Sequence, residues 1–140
     1  MTSPMRILLV EDTPSDIRLT EEALKEGSLN YELIVLHDGE EAMDYFRKVA
    51  GSDTQPDLIL LDLNMPRKDG REALVEIKSD ARLKRIPVVI LTTSKAQEDV
   101  RRLYELGANS FITKPATFQG LAETLRTLSQ YWFETVELPG

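Results

Sequence analysis

The feature that most constrains this chain is a regular alternation. Short apolar runs at 7–10, 33–36, 58–61, 88–91 and 110–113 are separated by longer amphipathic stretches. Most of these runs are unbroken aliphatic segments, as required of strands buried on both faces of a parallel sheet. The stretches between them carry apolar residues at helical spacing. Ile17, Thr20, Ala23 and Leu24 mark the first, which Gly27 ends. Ala42, Met43, Phe46 and Val49 mark the second, and Ala73, Leu74 and Ile77 the third. Val100, Leu103 and Tyr104 mark the fourth, stopped by Gly107, and Leu121, Leu125 and Leu128 the fifth. Five strands alternating with five helices in 140 residues predict one doubly wound α/β domain.

Right-handed crossovers leave few topologies for such a chain. For five parallel strands the common order is 2-1-3-4-5, the flavodoxin-like arrangement, in which ligands bind at the carboxyl edge beside the first and third strands. The residues at that edge are informative. The first strand runs out at Glu11-Asp12, the third at Asp62, the fourth at Thr92-Thr93-Ser94 and the fifth at Thr113-Lys114-Pro115. Three carboxylates, a group of hydroxyls and one ammonium are therefore expected at a single rim.

Composition limits what that rim can do. There is no cysteine and one histidine, His37, which excludes disulfide scaffolds, thiolate chemistry and multi-histidine metal sites. The cysteine-free chain is compatible with a cytoplasmic location. No apolar run is long enough to span a membrane, and Glu11-Asp12 cuts short the only apolar segment near the start, so neither a membrane span nor a signal peptide is expected. A net charge of −7 disfavours nucleic acid as a partner.

Clustered carboxylates need a positive occupant, and all-oxygen ligands suit a hard cation, Mg²⁺ best. Lys114 can meet a phosphoryl group as a point charge and Thr92 can donate a hydrogen bond to it. Phosphoryl transfer rests on positioning and charge neutralisation, which these groups supply. Asp62, at the end of the central strand, can act as the nucleophile and form an aspartyl phosphate.

Glu11-Asp12, Asp62, Thr92 and Lys114-Pro115, with the run Leu58-Ile59-Leu60-Leu61-Asp62-Leu63-Asn64-Met65-Pro66 and Asp69-Gly70, resemble the receiver domains of two-component response regulators, the CheY-like family. CheY is itself a standard example of the 2-1-3-4-5 order. The resemblance runs from about Met5 to Tyr131, so the expected layout is a receiver domain over 5–131 and a C-terminal aromatic extension over 132–140. Leu36-His37-Asp38-Gly39-Glu40-Glu41-Ala42, Leu91-Thr92-Thr93-Ser94 and the stretch from Trp132 to Pro139 resemble the single-domain subgroup that serves phytochrome-type histidine kinases.

The resemblance implies that Asp62 accepts a phosphoryl group from a sensor histidine kinase or phosphotransfer protein. It implies that Asp12 and Asp62 ligate Mg²⁺, with Glu11 binding directly or through water and the backbone carbonyl of Asn64 as a further ligand. It implies a switch in which Thr92 turns toward the phosphoryl group and an aromatic, here Phe111, follows inward. Thr93 stands behind Thr92 where many relatives have alanine. The Lys114–Pro115 bond is expected to be cis, an isomer that only X–Pro bonds adopt cheaply.

Each residue alone has a plainer reading. Asp62 suits a turn, Thr13 or Ser15 can cap a helix with Pro14 in its first turn, Lys114 suits a surface, and Phe111 suits a core. His37 closes the second strand. Arg82, Lys84 and Arg85 belong to a solvated loop. It is the convergence on one edge that favours chemistry. The apolar residues Trp132, Phe133, Val136 and Leu138 point to a partner surface, and a C₂ homodimer is expected. With no output domain after Lys114, the expected role is a phosphoacceptor switch acting through protein contacts, and not an enzyme in the ordinary sense. The competing reading is a Mg²⁺-dependent aspartyl-phosphate phosphatase. Such enzymes carry Asp-x-Asp on the first strand and a cap domain, neither of which is expected here. A nucleotide or flavin binder lacks its glycine-rich loop after the first strand. A docking module would not need the acids and the lysine.

Overall fold

The computed structural model describes residues 4–26, 30–52, 54–63, 70–92, 97–115 and 117–131. Asn64, Thr93, Ser94, Trp132, Phe133, Val136 and Leu138 lie outside them. The elements alternate in chain order: β1 (Met5–Val10), α1 (Pro14–Lys25), β2 (Tyr31–Leu36), α2 (Gly39–Val49), β3 (Leu58–Leu61), α3 (Gly70–Ser79), β4 (Val88–Thr92), α4 (Gln97–Glu105), β5 (Ser110–Thr113) and α5 (Phe118–Ser129). The strands form one parallel sheet in the order β2-β1-β3-β4-β5, as expected.

Period-two alternation along buried strands builds two cores, one on each face. Leu8, Val10, Ile59, Leu61, Val88 and Ile90 face one way and pack with Ala42, Met43 and Phe46 of α2 and Ala73, Leu74 and Ile77 of α3. Ile7, Leu9, Leu58, Leu60, Val89 and Leu91 face the other way, against Ala23 and Leu24 of α1 and Leu121, Ala122 and Leu125 of α5. Each fully buried Leu or Ile contributes about 1.5–3 kcal/mol. This two-sided burial is why β1, β3 and β4 were legible as unbroken aliphatic runs.

β2 is longer than its aliphatic run. Tyr31 and Glu32 also belong to it, paired with Met5 and Arg6. As an edge strand it is only half buried, with Glu32 exposed, so its start alternates and does not read as a strand.

The helix ends follow local chemistry. Asp38 caps α2 by accepting from the Glu41 backbone N–H at 2.9 Å. Thr117 caps α5 by accepting from Gly120 N–H at 3.0 Å. Thr13 occupies the cap position of α1 with Pro14 at the first helical residue, but its side chain makes no cap bond. Its hydroxyl instead lies 3.5 Å from Asp12 Oδ1. Gly107, at φ +107°, ends α4 with Ala108 N–H donating to Leu103 O and Gly107 N–H to Tyr104 O. That is the paired-bond stop that a left-handed residue permits.

Candidate functional site at the carboxyl edge of the sheet

The strand ends deliver the acids by backbone pairing. Glu11 N–H donates to Leu36 O at 2.9 Å and Asp62 N–H to Val10 O at 3.0 Å, so both residues leave the sheet at the same level. Glu11, Asp12 and Asp62 each offer a carboxylate oxygen, and the three oxygens lie within 4.8 Å of one another. Glu11 and Asp62 are buried, at 2% and 7% exposure, and Asp12 is half-buried. Burying carboxylates this close together costs energy unless cations join them. The donor set is all oxygen and fits a divalent ion such as Mg²⁺ or Mn²⁺.

Lys114 is the built-in counter-charge. Its backbone N–H donates to Thr92 O at 2.7 Å, which holds the residue at the end of β5 beside β4. Its Nζ donates to Glu11 Oε2 at 2.5 Å and to Asp16 Oδ2 at 2.9 Å, while Asp62 Oδ1 lies 4.0 Å away. Burial on its own is the largest influence and lowers the ammonium's pKa. The hydrogen bonds it donates to Glu11 and Asp16 and the charges of Glu11 and Asp62 together outweigh it, so the net shift is upward. Lys114 is therefore a cation at any physiological pH.

Thr92 is fully buried at the end of β4. Phe111, paired with Ile90 in the sheet, is half-buried and packs against the α2–α3 core. The outer edge of β5 is covered at this point, because Phe111 N–H donates to the Tyr104 hydroxyl at 3.2 Å.

One expectation is corrected. The described residues contain no cis peptide bond, so Lys114–Pro115 is trans. Trans is the lower-energy isomer of an X–Pro bond by about 0.5–1 kcal/mol. Lys114 reaches the carboxylates from that backbone.

Two residues of the site were not singled out from sequence. Asp16, in the first turn of α1, is the second partner of Lys114. Its signal was an acid one helical turn beyond Asp12, at the start of the helix that leaves the rim. Gly70 was noted only as part of a motif, yet α3 begins there pressed against the Asp62 backbone. A Cβ at Gly70 would lie 2.8 Å from Leu63 Cα, and closer still to the Asp62 carbonyl. His37 stands apart from the site, exposed, with Nδ1 3.3 Å from Glu41 Oε1.

The comparisons agree with this geometry. A family model for the response regulator receiver domain matches residues 7–126. Response regulator Rcp1 of Synechocystis sp. is 47% identical over 138 residues, covering 97% of this chain and 94% of Rcp1. The crystal structure of the phosphorylated cyanobacterial phytochrome response regulator RcpA superposes with a TM-score of 0.92 at 46% identity, covering 99% of this chain and all of that one. The Mn²⁺-bound form of Rcp1 superposes with a TM-score of 0.90 at 47% identity, covering 98% of this chain and all of that one.

Proposed function

Because the chain belongs to the response regulator receiver domain family, we propose that Asp62 is its phosphoacceptor and that a phosphohistidine on a sensor histidine kinase or phosphotransfer protein is the donor. A receiver of this kind is a switch and not a conventional enzyme. The carrying observation is the meeting of Glu11, Asp12, Asp62 and Lys114 at one lip of the sheet.

In the proposed transfer an Asp62 carboxylate oxygen attacks phosphorus. The P–N bond to the donor imidazole breaks, and its electron pair stays on the departing ring. An acyl phosphate remains on Asp62. Glu11, Asp12 and Asp62 would hold Mg²⁺, which when bound neutralises charge on the phosphoryl oxygens. Lys114 supplies a positive charge at the same rim, already partly desolvated, so little solvent has to be reorganised when the phosphoryl group arrives. The buried Thr92 hydroxyl donates to a phosphoryl oxygen, and Phe111, on the neighbouring strand, carries the change toward the surface of α4 and β5. The phosphoryl group biases a domain with two conformations by contacts that only one of them offers.

A phytochrome-type kinase is the proposed donor, supported by the likeness to RcpA across nearly the whole chain. The proposed site of action is the cytoplasm. Among the described residues no helix is long and apolar enough to cross a membrane. A homodimer is the proposed assembly, with 5–131 as the receiver and 132–140 as a contact segment. Exposed Tyr104 supports it, as does exposed Tyr131, which adjoins Trp132-Phe133 in the chain.

Phosphotransfer from an autophosphorylated, radiolabelled phytochrome-type kinase tests the assignment. Label should pass to the wild type and not to Asp62→Asn. Sedimentation of a variant lacking 132–140 tests the dimer, and an unchanged dimer would contradict the role of that segment.

A further inference from the structure

The ammonium of Lys114 has three donors, and two are committed to carboxylates other than Asp62. Glu11 Oε2 takes one at 2.5 Å and Asp16 Oδ2 another at 2.9 Å. Asp62 Oδ1, at 4.0 Å, lies beyond hydrogen-bond range. Of the two partners, Glu11 belongs to the carboxylate group that fits a metal, and Asp16 does not. A divalent ion drawn to Glu11 competes for the charge that Glu11 lends to Lys114. Asp16 lies outside the group of carboxylates that would hold such an ion. Asp16 is thus the partner that can retain Lys114 when the ion is present.

The side chain is held in place for this. Pro14 starts α1, Ile17 N–H donates to Thr13 O, and the Thr20 hydroxyl, on a buried residue, donates to Asp16 O at 2.9 Å. These bonds fasten the first turn, and the Asp16 carboxylate projects from it toward Lys114 with its side chain about one-third exposed. A phosphoryl group on Asp62 must draw Lys114 away from this carboxylate, and must also tolerate one more negative charge beside the rim.

We infer that Asp16 is a positioning residue that restrains Lys114 and so sets how strongly the rim holds a phosphoryl group. The inference rests on the assignment of Asp62 as phosphoacceptor. It makes Asp16 a tuning position: a carboxylate there weakens the phosphorylated state, and a neutral side chain strengthens it.

Beryllofluoride, a phosphoryl mimic that binds carboxylates without a donor protein, is the probe. Its affinity is measured by calorimetry at saturating Mg²⁺, with Mg²⁺ alone titrated separately. Asp16→Asn should bind beryllofluoride about fivefold more tightly, the weight of one partly exposed ion pair. Its Mg²⁺ affinity should be unchanged or slightly weaker, since a negative charge has left the neighbourhood. Asp16→Glu, which keeps the carboxylate, should stay within about twofold of wild type for beryllofluoride. A merely structural Asp16 would move both titrations of Asp16→Asn in the same unfavourable direction. Beryllofluoride binding to Asp16→Asn that is unchanged or weaker overturns the inference, as does equal tightening in Asp16→Glu. A wild type that binds Mg²⁺ but no beryllofluoride overturns the phosphoacceptor assignment as well, which separates the two failures.

Discussion

Gly70 packs so closely on Asp62 that a Cβ placed on it would collide with the Asp62 carbonyl oxygen. Gly70 N–H also donates to Leu63 O at 3.1 Å, so the start of α3 is fastened to the residue that follows Asp62. The Asp-Gly pair after β3 therefore has a steric reason as well as a turn-forming one. Gly70→Ala should force the Asp62–Leu63 backbone to move. We expect a loss of more than about 2 kcal/mol in urea unfolding, the scale of an overpacked core site. Stability within about 0.5 kcal/mol of wild type would mean that the segment yields freely.

The carboxylate cluster predicts an exchange between stability and metal binding. Asp12→Asn relieves repulsion among Glu11, Asp12 and Asp62, so the metal-free variant should melt above metal-free wild type. Mg²⁺ should raise the melting temperature of wild type, by the equivalent of about 2.7 kcal/mol at one hundred times its Kd. It should have a much smaller effect on Asp12→Asn. Paired calorimetric melts in EDTA and in Mg²⁺ check both halves.

Lys114 predicts an alkaline limb. Its pKa is raised in the folded state, so its contribution is fully present below the ordinary lysine value and is lost as pH rises through the higher folded one. At pH 8, Lys114→Met leaves Glu11 and Asp62 buried without their ammonium and should cost about 3 kcal/mol. The gap between wild type and variant should shrink above about pH 10.4, the unfolded lysine value. The other lysines and the tyrosines are common to both proteins and cancel in the difference. A gap that stays constant to pH 11.5 would contradict the ion-pair account.

At the opposite edge of the sheet, Lys78 Nζ donates to Ile86 O at 2.9 Å and Lys84 O at 3.0 Å, and burial lowers its pKa. Its stem runs against Gly107, where a Cβ would sit 2.9 Å from Lys78 Cγ. Gly107→Ala meets both that contact and a left-handed φ, and should cost about 1–3 kcal/mol. It lies far along α4 from the rim, so the yield of phosphorylation by a small donor should be unchanged. Urea melts and a phosphorylation assay on the same sample separate these effects.

Much of this was legible before any coordinates. Unbroken runs such as 58–61, alternating with stretches at helical spacing, read as strands buried on both sides, and their ends place Asp12, Asp62, Thr92 and Lys114 at one edge. The parts that were not legible depend on tertiary contact. The start of β2 at Tyr31 shows as strand only through its pairing with β1. Asp16 looks like an ordinary first-turn acid until β5 brings Lys114 to it. The close approach behind Gly70 is a distance between two backbones, which no residue pattern encodes. The Lys114–Pro115 bond is trans, whereas the family resemblance pointed to cis.

The central claim is that Asp62 takes up a phosphoryl group at this rim. Incubation with acetyl phosphate and Mg²⁺, followed by intact-mass measurement, tests it without any partner protein. The account predicts the gain of one phosphoryl group by wild type and none by Asp62→Asn. A wild type that stays unmodified while binding Mg²⁺, or an Asp62→Asn variant that gains the same mass, would contradict it.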